Sequence, residues 1–357
     1  MDIAKLDKNL AVSAGERENG MVYHNVLDAP FDLYGFFTPQ KTREFLRMPK
    51  GIANTVSEAV AALSRRTAGG RVRFCTDSQN IAIEAKMPHI SRMPHMPLMG
   101  SAGFDLYEKG RYLGSFVPPV DMQDGYHSVI HLGKRAMRDL TINFPLYSEV
   151  EQLLVGLDKD AALLCGERYQ NDHPVLFYGS SITQGGCASR PGTSYPALIS
   201  QAYNLDYVNL GFAGNCLGEP QMANYIAEQP LSLYVSDYDH NAPSAAHLEE
   251  TLRAFYKVLR KKKPQLPILF VTRPDYGLDA SVAIKRCAAV KQIYQKAQQA
   301  GDNAVYFLDG YTLFDLAYRS ASTVDGVHPN DFGFVHMAKR IGAEIAHILQ
   351  LTQCGHL

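Results

Sequence analysis

The sequence predicts an α/β protein in two parts, an N-terminal β-sandwich and then an α/β/α three-layer domain built on a parallel sheet. Three observations predict this. Short, alternating apolar segments separated by turn residues fill roughly residues 20–165. From residue 172 onward, short apolar strands alternate with helical segments, the pattern of a parallel sheet covered on both faces. The polar stretch Gly166–Asp172 separates the two regimes and divides the chain into 1–168 and 169–357. At 357 residues the chain is long enough for two sizeable cores.

In the first part, Arg71–Cys75 and Ile81–Ala85 alternate, with Thr76–Asn80 as the turn between them. Gly103–Tyr107 and Tyr112–Phe116 flank a hairpin turn, Glu108–Arg111. Ser128–Leu132, Leu140–Phe144 and Val150–Val155 add further strands, and one helix, Ala53–Ser64, interrupts them. This spacing of short strands is that of a two-sheet sandwich. In the second part the strands are Val175–Tyr178, Tyr207–Leu210, Leu231–Val235, Ile268–Thr272 and Val305–Leu308. The helices are Tyr195–Tyr203, Gln221–Glu228, Ala245–Lys261, Ala280–Gln299 and Phe332–Leu349.

Composition narrows the function. Apolar residues make up 46% and charged residues 20%, a globular balance, with a formal net charge of −1. No basic run exceeds Arg260–Lys263, which fits a solvated helix end and argues against nucleic acid. No segment has the length and apolarity of a bilayer span, so no membrane partner is expected. Met1–Asp7 has no apolar core of a signal peptide; the expectation is a cytoplasmic protein, with a trimmed leader left open. The six cysteines show neither CxxC pairing nor metal spacing and read as free thiols.

The chemistry centres on Tyr178-Gly179-Ser180-Ser181-Ile182-Thr183-Gln184-Gly185, a tight turn directly after a buried strand. A serine there can project its hydroxyl from the C-terminal sheet edge, but it needs a base to take its proton. Asp325-Gly326-Val327-His328 supplies one candidate pair. An Asp three residues before a His can accept the Nδ1 proton and leave Nε2 for the serine; the same pair also reads as a cap and a surface His. Gly214 and Asn241 follow the second and third strands and are candidate oxyanion donors. Gly214 also reads as a turn glycine, and Asn241 as a cap ahead of Pro243. The Gly-x-Ser-x-Gly elbow of α/β-hydrolases is not met, because Thr183 occupies its last position.

These blocks resemble the SGNH (GDSL-type) esterases, over about residues 172–350: Gly179-Ser180-Ser181-Ile182, then Gly214, Asn241 and Asp325-x-x-His328. Gly103-Phe104-Asp105-Leu106-Tyr107 is similar to the Gly-x-Asp-Leu-Tyr marker of the β-rich domain preceding one branch of that family. The resemblance implies a flavodoxin-like α/β/α domain behind a jelly-roll-like sandwich. It implies Ser181 as nucleophile, His328 as base, Asp325 as its orienting partner, and Ser181 N–H, Gly214 and Asn241 as oxyanion donors, with no metal or cofactor. Two blocks depart from the family pattern: Ser180 stands where Asp is common, and Asp239-His240-Asn241-Ala242 stands where Gly-x-Asn-Asp is usual. The implied substrate is an oligosaccharide or small-molecule acyl ester, above all an O-acetylated carbohydrate. An acyltransferase using the same acyl-enzyme is the alternative, and a glycan-binding protein with an inert second domain is a third reading.

Other residues join the list of candidates. Arg273, at the end of the fourth strand, is a candidate for binding a sugar hydroxyl or carboxylate, or for an interdomain ion pair; Asp239 and His240 are candidate pocket residues. Cys187 and Cys216 read as small buried thiols that could approach one another. Met93–Met99 reads as interdomain packing or a lid over the acyl group, and Tyr107 as sandwich core or a sugar platform. The absence of Trp weakens a carbohydrate-binding role for the first domain. Homo-oligomerisation is left open.

Overall fold

The computed structural model describes residues 17–274 and 279–354, together with Leu6, Asp7, Val12 and Gly15. Of the stretches read above, Met1–Lys5 lies outside the described residues. The N-terminal strands are β1 (Met21–Asn25), β2 (Asp32–Tyr34), β3 (Arg71–Thr76), β4 (Asn80–Lys86), β5 (Phe104–Glu108), β6 (Arg111–Phe116), β7 (Gly125–His131), β8 (Arg138–Asn143), β9 (Gln152–Asp158) and β10 (Leu163–Cys165). They form two antiparallel sheets, β1-β9-β4-β7 and β10-β3-β8-β5-β6, with β2 added to β3. The period-2 pattern explains the sandwich: Val72, Phe74, Leu140 and Ile142 of one sheet meet Ile81, Ile83, Leu153 and Val155 of the other in one core. The β5–β6 hairpin turns on Lys109 and Gly110, at φ 48° and 82°, the left-handed pair that suits the strand twist.

The second domain is a parallel sheet of β11 (Val175–Gly179), β12 (Tyr207–Gly211), β13 (Leu233–Asp237), β14 (Ile268–Val271) and β15 (Val305–Leu308). Its order is β12-β11-β13-β14-β15, that of a flavodoxin-like doubly wound sheet. Six α-helices among its described residues serve it: α1 (Ser181–Gln184), α2 (Tyr195–Tyr203), α3 (Pro220–Glu228), α4 (Ala245–Lys262), α5 (Ala280–Gln299) and α6 (Asp331–Leu349). Each apolar strand feeds two cores. Val175 and Phe177 pack with Ile199, Phe334 and Met337 on one face. Leu176 and Tyr178 pack with Met222, Leu252 and Phe255 on the other. No helix among the described residues is long and apolar enough to cross a membrane.

Several expectations are corrected. The helix expected over Ala53–Ser64 is two, Lys50–Val56 and Glu58–Leu63, because Ser57 is extended at φ −169° and caps the second through Val60 N–H at 3.0 Å. The turn expected at Thr76–Asn80 is present; it joins strands of different sheets and is held by Asp158, which accepts the Gln79 N–H at 2.8 Å. Tyr107 is buried, but against the second domain: a Cβ on Gly192 would collide with its hydroxyl, and Arg190 Nε donates to that hydroxyl at 3.3 Å. Cys216 lies in the α3–α4 core, whereas Cys187 lies near Asp325 and His328, so the two do not share a neighbourhood.

Candidate active site

The site lies at the crevice between the C-terminal ends of β11 and β13, where a doubly wound sheet reverses its direction of winding. Gly179 pairs with both Gly211 and Asp237, so the loops leaving β11, β12 and β13 start at one level. Gly179 is required by close approach: a Cβ would collide with Thr183 Oγ1 and sit 2.5 Å from the Asp237 carbonyl. The two adjacent serines then part company. Ser180 caps α1, its buried side chain accepting the Ile182 N–H at 3.2 Å. Ser181 opens the helix, with Oγ 2.9 Å from His328 Nε2.

His328 is held from its other side. Asp325 forms a tight turn in which Oδ1 accepts the backbone N–H of Val327 at 3.0 Å and of His328 at 2.7 Å. Its Oδ2 lies 2.8 Å from His328 Nδ1. Burial pushes this carboxyl up, but the His328 N–H, the imidazole and the Val327 N–H outweigh it and hold the group down at about 2. An ionised carboxylate only accepts, so Nδ1 carries the proton; Nε2 of the neutral ring is then the acceptor for the Ser181 hydroxyl. The segment is anchored by Asp331 at the start of α6, which accepts Ser189 N–H and Thr193 Oγ1–H, each at 2.8 Å.

Gly214 sits at φ 70°, with open space where a side chain would be. No hydrogen bond among the described residues uses the N–H of Ser181 or of Gly214. Their loops are stitched together: Ala213 N–H donates to Gln184 Oε1 at 3.1 Å and Asn209 Nδ2 to Thr183 O at 2.7 Å. Asn241 donates its backbone N–H to Tyr238 O at 3.0 Å and does not cap α4; Ser244 does, through His247 N–H. Asp239 is buried and accepts the Arg273 N–H at 3.0 Å, a brace between the ends of β13 and β14. His240 is half-buried beside it, its carbonyl facing Arg286 at 3.5 Å. An open donor pair next to a hydroxyl–imidazole–carboxylate chain can take a proton from oxygen and receive a developing oxyanion.

The first domain enters this site through residues the motifs did not mark. Tyr147 Oη donates to the Ser181 carbonyl at 3.2 Å, and Gln184 Nε2 donates to Leu146 O at 3.1 Å. Met96 is buried in the second domain's core, so Met93–Met99 is an interdomain contact, and it brings the His95 ring 5.9 Å from that of His328. Only that Met-Pro-His-Met-Pro sequence could have signalled His95; nothing in sequence marks Tyr147. Cys187 is buried beside them, and burial, then the Asp325 charge, push its thiol up to about 11. A cavity of about 250 Å³ opens elsewhere, between the domains, beside Arg71, Tyr107, Tyr169 and Gln201; none of its lining residues belongs to the Ser181 site.

Comparison with known proteins bears on these features. Residues 172–346 match the GDSL-like lipase/acylhydrolase family, and residues 21–163 match the GxDLY N-terminus of SGNH-hydrolase-type esterases. A GDSL-like lipase from Bacteroides ovatus ATCC 8483 is 26% identical over 94% of this chain and 100% of its own, with a TM-score of 0.84. A salicylyl-acyltransferase from a tetracycline biosynthetic pathway is 20% identical over 93% and 98%, with a TM-score of 0.77. An acetyl xylan esterase from the rumen bacterium Butyrivibrio proteoclasticus is 13% identical over 92% and 99%, with a TM-score of 0.61. No curated protein matches the sequence.

Proposed function

Because this chain belongs to the SGNH/GDSL-type esterase family, with a GxDLY-type N-terminal domain, we propose that it hydrolyses small acyl esters, O-acetylated carbohydrates foremost, through an acyl-enzyme on Ser181. One observation carries the reading: Ser181 Oγ, His328 and Asp325 form a single hydrogen-bonded chain at 2.9 and 2.8 Å. In this mechanism Ser181 Oγ attacks the ester carbonyl as His328 Nε2 takes its proton. Ser181 N–H, Gly214 N–H and the Asn241 side chain stabilise the oxyanion, each donor contributing about 3–4 kcal/mol to barrier lowering. His328 returns the proton to the leaving alcohol, and water repeats the cycle. Arg273, Asp239 and His240 are the proposed substrate-binding residues, with Arg273 and Asp239 joined by the brace between β13 and β14. The acetyl choice is supported by the likeness in fold to an acetyl xylan esterase, and a transfer reaction by the likeness to an acyltransferase.

The test is turnover of p-nitrophenyl acetate and of acetylated xylo-oligosaccharides by the wild type and by Ser181→Ala. Turnover of both by the wild type and of neither by the variant is expected. Acyl transfer to added alcohols faster than to water identifies the acyltransferase instead. Wild-type inactivity on every ester, with retained glycan binding, overturns the enzymatic reading.

A further inference from the structure

Three donor side chains from separate parts of the chain meet at the mouth of the site. His95 is exposed on the first domain's loop, Cys187 is buried in the turn after α1, and His328 precedes α6. One ligand atom from each lies within 4.8 Å of the others. Cys187 also holds φ 72°, a left-handed conformation that favours glycine, directly after Gly185-Gly186. The chain thus carries a thiol where a third glycine would sit without strain.

We infer that His95, Cys187 and His328 form a binding site for one soft divalent cation, Zn²⁺, whose occupancy switches the esterase off. Two imidazoles and a thiolate are the N/S donor set zinc takes, whereas Mg²⁺ and Ca²⁺ require oxygen. Ligand distances of about 2.0–2.3 Å require the three groups to close inward, and His95, exposed on a loop, can turn to do so. Water takes the fourth position. As the Zn–S bond forms, the Cys187 proton leaves to solvent. Asp325 holds Nδ1 of His328, so the cation takes Nε2. That lone pair is the one that accepts the Ser181 proton, so a metal there blocks attack. The metal site stands on geometry alone; the inhibition rests on the proposed role of His328 as base. Sequence spacing conceals the site because its ligands come from three distant segments.

The test titrates the full chain with Zn²⁺ by calorimetry and with Co²⁺ by absorption, in a Cys165→Ser/Cys354→Ser background that removes the two exposed thiols. One ion per chain is expected, with a thiolate-to-cobalt charge-transfer band. Cys187→Ser removes the band, and His95→Ala, a surface change that spares the fold, weakens binding at least about tenfold. Zn²⁺ inhibition, scaled to each variant's own rate, weakens in parallel. Binding that is absent, or unchanged in both variants, overturns the site. Binding with these signatures but no inhibition upholds the site and instead removes His328 from the role of base.

Discussion

At the residue scale, the structure separates two neighbouring hydroxyls by their surroundings. Ser180 satisfies a helix N-terminus, and Ser181 faces an imidazole. Ser181→Ala is therefore expected to lower kcat by about 10⁴–10⁶-fold. Ser180→Ala is expected to keep the rate within a few-fold while costing about 1 kcal/mol of stability, read by urea denaturation. Asp325→Asn removes the fixed tautomer and is expected to lower kcat by about 10⁴-fold with little change in KM. Since Asp325 is held at about 2, its contribution to stability is complete above about pH 4, the unfolded value, and is lost as pH falls through 2. The Asp-x-x-His spacing was legible in sequence because the turn it forms is local. His95 and Tyr147 were not, since their relation to the site exists only after the two domains pack.

At the element scale, the turn after α1 and the strand end at β12 set the geometry. A Cβ on Gly186 would lie 3.0 Å from Tyr147 Oη, 3.1 Å from Ser181 O and 3.3 Å from His328 Cδ2. Gly186→Ala should push at least one of these away and lower kcat about 10- to 100-fold with the fold intact, as near-unchanged thermal unfolding would show. Arg47 is fully buried and donates to the carbonyls of Leu63, Arg66, Asn209 and Gly211 at 2.6, 2.8, 2.9 and 2.7 Å. Burial lowers its pKa to about 9, yet it remains charged at neutral pH. Arg47→Met leaves these carbonyls without their donor and is expected to cost about 3 kcal/mol or more in denaturant unfolding. A loss under about 1 kcal/mol would mean that desolvating the guanidinium cancels its bonds. The helices Tyr195–Tyr203 and Ala280–Gln299 were readable to the residue, because apolar period and boundary signals agree there. The break at Ser57 was not, since a serine between alanines and valines reads as helix interior until its side chain is seen capping.

At the scale of the whole molecule, the two domains share their cores. Met48, Ala53 and Val60 pack into one face of the parallel sheet's surroundings, and Ala68, Met96, Leu146 and Tyr147 into the other. The GxDLY motif explains part of this union: Asp105, fully buried, accepts Gly192 N–H and Asn143 Nδ2–H at 2.8 and 2.9 Å and lies 3.6 Å from Arg190. Burial raises its carboxyl to about 6 despite these partners. The native state then binds more protons than the unfolded chain between about pH 4 and 6, so this group makes stability fall as pH rises through that window, by on the order of 3 kcal/mol. Asp105→Asn should flatten that fall, measured by denaturant unfolding at several pH values; parallel curves would contradict it. The apolar period foretold the antiparallel β-rich sheets and the parallel sheet with its helices, but not that side chains from the β-rich half complete the cores around the parallel sheet, because pattern reports burial and not the partner. The central claim is that Ser181, Asp325 and His328 generate one activated hydroxyl. Its most direct measurement is peptide mapping of the adduct left by a fluorophosphonate ester. Modification of Ser181 alone, abolished in His328→Ala, is the expected result; modification of Ser180, or labelling of Ser181 that does not depend on His328, would contradict it.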